Sequence, residues 1–144
     1  MMAFPRSNPF PAFNFQVEVD GLIAGSFSEV SGIGAEIDIE EYREGGVNEF
    51  VHKLLKNTKY GNLVCKRGFT RLTVLYDWYK QVVIGNIERR MVTITLLDSQ
   101  KTPIKSWSYK NCIPVSWKGP ELKSDGNTIA IESIELVHQG LVWL

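Results

Sequence analysis

Apolar and polar side chains alternate one for one from Phe15 to Asp20: Phe15, Val17 and Val19 take one face, Gln16, Glu18 and Asp20 the other. A period of two belongs to a strand with one face in a core and the other in water. That period, or a short β-branched run, returns along most of the chain. Gly21 turns the chain into Leu22-Ile23-Ala24, then Gly25-Ser26 and Phe27, which reads as a hairpin. Ile37-Asp38-Ile39-Glu40 alternates again, with its acidic residues expected on the solvated face. Leu63 to Arg67 is a short strand, and Met91 to Leu97 is β-branched and thin in charge, as a strand covered on both faces would be. Ile104 to Tyr109, Pro114 to Trp117 and Thr128 to His138 complete the series, divided by Gly, Pro, Asn and Asp. In the last of these the alternation shifts phase near Glu132-Ser133, as a β-bulge would make it do.

One segment breaks the period. Between Thr70 and Ile84 the residues Leu72, Leu75, Tyr76, Tyr79, Val82 and Val83 fall on one helical stripe, with Trp78 just off it. Thr70 is the expected N-cap and Gly85-Asn86 the stop. The fold expected is mainly β: an antiparallel β-sandwich or small barrel with one flanking helix at about Thr70 to Ile84 and a long early loop. A chain of 144 residues suits a single domain over 1–144, with an N-terminal arm at 1–13 and the loop at 43–62.

Charge and composition narrow the function. Sixteen basic and sixteen acidic residues cancel, so no basic excess argues for gripping nucleic acid, and self-repulsion between copies is low. Cys65 and Cys112 are too few for a disulfide scaffold and read as half-buried free thiols of a reducing compartment. No run approaches the roughly 18 apolar residues of a membrane-spanning helix. Pro5, Pro9 and Pro11 interrupt any signal-like apolar stretch, so synthesis in the cytoplasm without stable membrane insertion is expected.

Two segments do not fit a self-contained domain. In the arm, Phe4, Phe10 and Phe13 are interspersed with prolines. Burying three Phe gains about 5–9 kcal/mol gross, whereas ordering each backbone unit costs about 1–2 kcal/mol. The arm is therefore expected to order only against a neighbouring molecule. The second segment runs from Arg43 to Asn62, too long for a plain connection. There Val47, Phe50, Val51, Leu54 and Leu55 show helical spacing. Either they form a short helix packed on its own core, or they dock on another subunit. These eight apolar residues, Phe4, Phe10, Phe13, Val47, Phe50, Val51, Leu54 and Leu55, are the candidate subunit interface. Trp143 makes the second chain end apolar too, and Trp107 and Trp117 read as core.

Few residues in the sequence point to chemistry. Gly32-Ile33-Gly34 lacks the third glycine of a dinucleotide loop and leads into a strand. No P-loop, nucleophile elbow, H-E-x-x-H or C-x-x-C occurs. His52 and His138 each stand beside apolar residues and read as structural, and Glu40-Glu41 reads as a solvated face. No catalytic residue, metal or cofactor is expected. A small-molecule-binding barrel lined by Trp107, Trp117 and Tyr109 is the alternative, and an enzyme has no residues to carry it.

A set of short motifs is more specific. Glu29-Val30-Ser31-Gly32 after Gly25-Ser26-Phe27, Glu41-Tyr42-Arg43-Glu44-Gly45-Gly46, Thr58-Lys59-Tyr60 before Leu63, Lys66-Arg67-Gly68, Trp78, Ile129-Ala130-Ile131-Glu132 and Glu135-Leu136-Val137-His138 together resemble the tail tube proteins of contractile phages. The similarity is especially close to the tube subunits of extracellular contractile injection systems and runs from about Phe15 to His138. The resemblance implies a homo-hexamer stacking into a hollow inner tube, with each subunit's strands joined to its neighbours'. It implies that residues 43–62 reach into adjacent subunits. Partners would be sheath subunits outside, baseplate and terminator proteins at the ends, and cargo protein or DNA in the lumen of a phage tail or extracellular injection particle. A baseplate-proximal adaptor ring of the same machine remains open beside the shaft.

Overall fold

The computed structural model describes residues 14–43, 45, 51–68, 72–126 and 130–143. Its elements, in order, are β1 (Asn14–Val19), β2 (Leu22–Phe27), β3 (Glu29–Ser31), β4 (Glu36–Tyr42), β5 (His52–Lys59), β6 (Leu63–Gly68), α1 (Val74–Val83), β7 (Arg90–Leu97), β8 (Pro103–Lys118) and β9 (Ile131–Val137). Seven strands form one antiparallel sheet in the order β2-β1-β7-β8-β9-β6-β3, and β4 and β5 form a separate two-stranded sheet. The β1–β2 hairpin closes through Asp20 and Gly21, both at positive φ, as a tight turn between twisted strands requires.

β8 makes the layers. Residues from Arg90 to Leu97 on β7 pair with its first part, Pro103 to Cys112, and β9 pairs with Ile113 to Lys118. The sheet bends there, and Val17, Val19, Val92 and Ile94 of one layer meet Leu63, Cys65, Ile134 and Leu136 of the other in a single core. The architecture is the expected sandwich; the sheet does not close into a barrel.

Three sequence expectations are corrected. α1 starts at Val74, not at Thr70, which lies outside the described residues, and Thr73 is its N-cap. The buried stripe is rotated: Leu75 and Trp78 are the buried helix residues, while Leu72, Tyr76 and Val83 are exposed. Trp78 wins the core position because it is the larger apolar surface and its Nε1–H reaches the Glu88 carbonyl at 2.9 Å. Third, β9 has no phase shift. Its register with β6 is unbroken, and Glu132 simply points inward. The irregularity lies opposite, in β8 between Pro114 and Ser116.

Glu132 can be inside because Arg67 is. The two side chains form a buried ion pair at 2.5 Å. The guanidinium also donates to the carbonyls of Ala24 and Leu72 and lies 4.6 Å from the Phe27 ring centre, while Trp117 Nε1–H donates to the second carboxylate oxygen. This network ties β2, β6, β8, β9 and the approach to α1 together.

Candidate functional site

The β4–β5 hairpin is where the chain departs from a closed domain. No strand of the main sheet pairs with it. Its legs leave the body at residues 32–36 and 59–61, across a cleft of about 470 Å³. There Gly32, at φ +92, presses so close to the Asn62 carbonyl that any Cβ would overlap it. Gly32-Ile33-Gly34 is therefore a close-approach hinge rather than a phosphate loop.

Register divides the hairpin into two unlike faces. Ile39 stands opposite Leu55 and Ile37 opposite Thr58. On the other face Glu36, Glu40 and Tyr42 stand opposite Lys59, Leu54 and His52. That second face is largely self-satisfied: Lys59 pairs with Asp38 at 2.8 Å, Lys56 with Glu40 at 3.4 Å, and His52 stacks on Tyr42 with ring centres 5.0 Å apart. The Lys59 ammonium is pushed up, chiefly by its hydrogen bond to Asp38. The first face carries an uncovered apolar patch, bordered by Thr58 and by Glu41 opposite Lys53. Ile37, Ile39 and Leu55 are 48%, 53% and 73% exposed, values for isoleucine and leucine that a lone soluble domain has no reason to keep together.

This changes the reading of residues 43–62. The spacing of Val47 to Leu55 suggests a helix, yet His52–Lys59 is a strand. Of the eight candidate interface residues, Leu54 and Leu55 are exposed on opposite faces of β5 and Val51 is half-buried just before it. Phe4, Phe10, Phe13, Val47 and Phe50 lie outside the described residues. Sequence reasoning missed Ile37, Ile39 and Tyr42, all exposed: the alternation of Ile37 to Glu40 puts the two isoleucines opposite the solvated acidic face, and nothing in the pattern singles out Tyr42. One alternating run, Ile37 to Glu40, set between the glycine legs at Gly32 to Gly34 and at Gly61, is the available signal for a projecting ribbon.

A second surface is polar. On the face of β1, β7 and β8 turned away from the core, Gln16 and Glu18 line up with Thr95 and Thr93. Hydroxyl pairs Thr93–Ser108 and Thr95–Ser106, each 2.9 Å apart, extend the row.

Little here could carry out chemistry. Among the described residues no cluster of His, Cys, Asp and Glu could hold a metal ion, and no helix is long and apolar enough to cross a membrane. Burial pushes both thiols, Cys65 and Cys112, up to about 12, so neither is a nucleophile near neutrality. Trp107 and Trp117 line different cavities. That at Trp117 holds about 10 Å³, one water at most, and that at Trp107 is a surface groove of about 190 Å³ beside Trp143 and Lys105. Tyr109 is fully buried, so the three aromatics form no common ligand cavity.

Comparison with known proteins agrees with a tube rather than a pocket. The family model described as T4-like virus tail tube protein gp19 matches residues 11–142. The chain belongs to this tail tube family. It is similar to a chain of the PVC extracellular contractile injection system sheath–tube complex in its extended state, at 28% identity over 94% of this chain and 91% of that one, with a TM-score of 0.79. It shares its fold with a chain of the anti-feeding prophage tube-terminating cap, at 23% identity over 98% and 94% and a TM-score of 0.82. The same fold, more distantly, is that of Hcp1 from Flavobacterium johnsoniae, at 13% identity over 90% and 94% and a TM-score of 0.54. No curated protein matches the sequence. A tail tube family is a structural one, and the chain is a structural protein rather than an enzyme.

Proposed function

We propose that the chain is the repeating subunit of the inner tube of a contractile tail or injection particle, assembling as hexameric rings that stack around a lumen. The observation that carries this is the projecting β4–β5 hairpin with Ile37, Ile39 and Leu55 uncovered. A tube driven by a contracting sheath bears axial load, so its contacts are apolar and exceed the roughly 1,600 Å² of an ordinary complex. A hairpin reaching from one subunit to the next supplies such a contact, and the Phe-rich arm is a second candidate for it. The polar row from Gln16 to Ser108 suits the lumen wall, since paired hydroxyls present few free donors to passing cargo protein or DNA. A sheath outside and a terminator at the end are the partners this reading names; relatives at 28% identity stand in a sheath–tube complex and in a sheath/tube terminator.

The test is the double substitution Ile39→Asp and Leu55→Asp. Both side chains are already in water, so the monomer keeps its fold and its circular dichroism, while tube growth stops. Normal tubes from the double variant would overturn the role assigned to the hairpin.

A further inference from the structure

His138 follows β9, and each of its ring nitrogens meets the backbone of a different segment. Nε2 lies 2.9 Å from the Gly61 carbonyl at the root of the hairpin, and the Gly140 N–H donates to Nδ1 at 3.0 Å. A carbonyl only accepts and an amide N–H only donates, so the arrangement needs one tautomer: a proton on Nε2 and a lone pair on Nδ1. Tyr109 and Tyr60 pack on the ring with centroids 4.4 and 5.7 Å away. Beyond Gly140 the tail runs along β8. Gly140 O accepts from Lys110 N–H, Gln139 N–H donates to Lys110 O and Val142 N–H to Ser108 O, and Trp143 Nε1–H reaches the Tyr60 hydroxyl at 3.2 Å.

We propose that His138 is an acid-released latch: neutral, it fastens tail residues 139–143 to β8 and to the hairpin root, and a proton on Nδ1 releases the tail. Protonation sets Nδ1–H against the Gly140 N–H, so that bond is lost and the two donors repel. The Gly61 bond survives, because Nε2 still donates. The loss therefore falls on the tail, and with it on the Trp143–Tyr60 link to the hairpin. The ionisable groups packed around the ring are Tyr60 and Tyr109, with Lys110 passing Gly140. Glu36 and Lys59 stand on the hairpin legs, Lys59 held by Asp38. None of the ring's described contacts is a carboxylate that would hold an imidazolium in place. Tail residues 139–143 carry no ionisable side chain of their own.

The proposal does not depend on tube assembly and is tested on the full chain. Lowering the pH from 7.5 to 5.5 crosses the range in which histidine side chains ordinarily gain a proton and should shift the tail toward release about tenfold. Hydrogen exchange should show the protection of the Gly140 and Val142 amides, referenced to intrinsic rates, falling by that factor while β7 amides hold. In His138→Gln, which keeps a donor and an acceptor without titrating, protection should stay flat. Nitrogen chemical shifts of the ring in the unaltered protein give a second readout, with Nε2 protonated and Nδ1 bare at pH 7.5. Unchanged tail protection, an equal fall in the variant, or Nδ1 protonated at pH 7.5 would each overturn the latch.

Discussion

Arg67 and Glu132 place two charges where the alternation of β6 and β9 calls for apolar residues, with side chains only 4% and 9% exposed. Removing one partner strands the other in the core. Glu132→Ala should therefore destabilise the monomer by about 3–5 kcal/mol, read as a lower midpoint in urea; a change within experimental error would mean that water reaches the guanidinium. The two thiols set an alkaline limit. Burial holds Cys65 and Cys112 protonated up to about 12, whereas thiols in the unfolded chain ionise near 9.0. Between those values the native state binds more protons than the unfolded one, so stability should fall as pH rises above about 9. Urea titrations at pH 8 and 10 check the sign, and Cys65→Ala with Cys112→Ala should flatten the dependence. The inward pair also marks a limit of sequence reading. A charged residue in a strand looks like a phase shift until its partner, 65 residues away, is known.

At the scale of elements, periodicity gave strands and helix correctly wherever one face was covered by the same chain. The β1 alternation and the helix following Thr73 are of this kind. It misassigned α1 by a rotation, because Tyr76 and Val83 are as apolar as the residues that displaced them, and only packing decides between them. It misread His52–Lys59 because side chains that are not buried in their own chain carry no clear period. The hairpin is separable in a physical sense, with its legs meeting at Gly32 and Asn62 and its strands outside the main sheet. Replacing residues 37–58 by a short Gly/Ser turn should leave the thermal midpoint of the monomer within a few degrees, since loop closure depends only weakly on length. Loss of the cooperative transition would show instead that the hairpin supports the sandwich.

At the scale of the molecule, the sandwich looks after itself while its attachments do not. The core is continuous between the two layers, yet apolar surface remains on the hairpin at Ile37, Ile39 and Leu55 and at the end of α1 on Val83 and Ile84. With no net charge to hold copies apart, these are the surfaces that the proposed tube would use for its repeating contacts. Family and sandwich were legible in the sequence through short motifs in order; which surfaces are uncovered was not, because exposure is a property of the assembled strands. The most direct test is negative-stain electron microscopy of the purified chain over a concentration series. Hollow tubes with six-fold end views that lengthen as concentration rises are the expected result. A folded chain that stays monomeric at every concentration would contradict it.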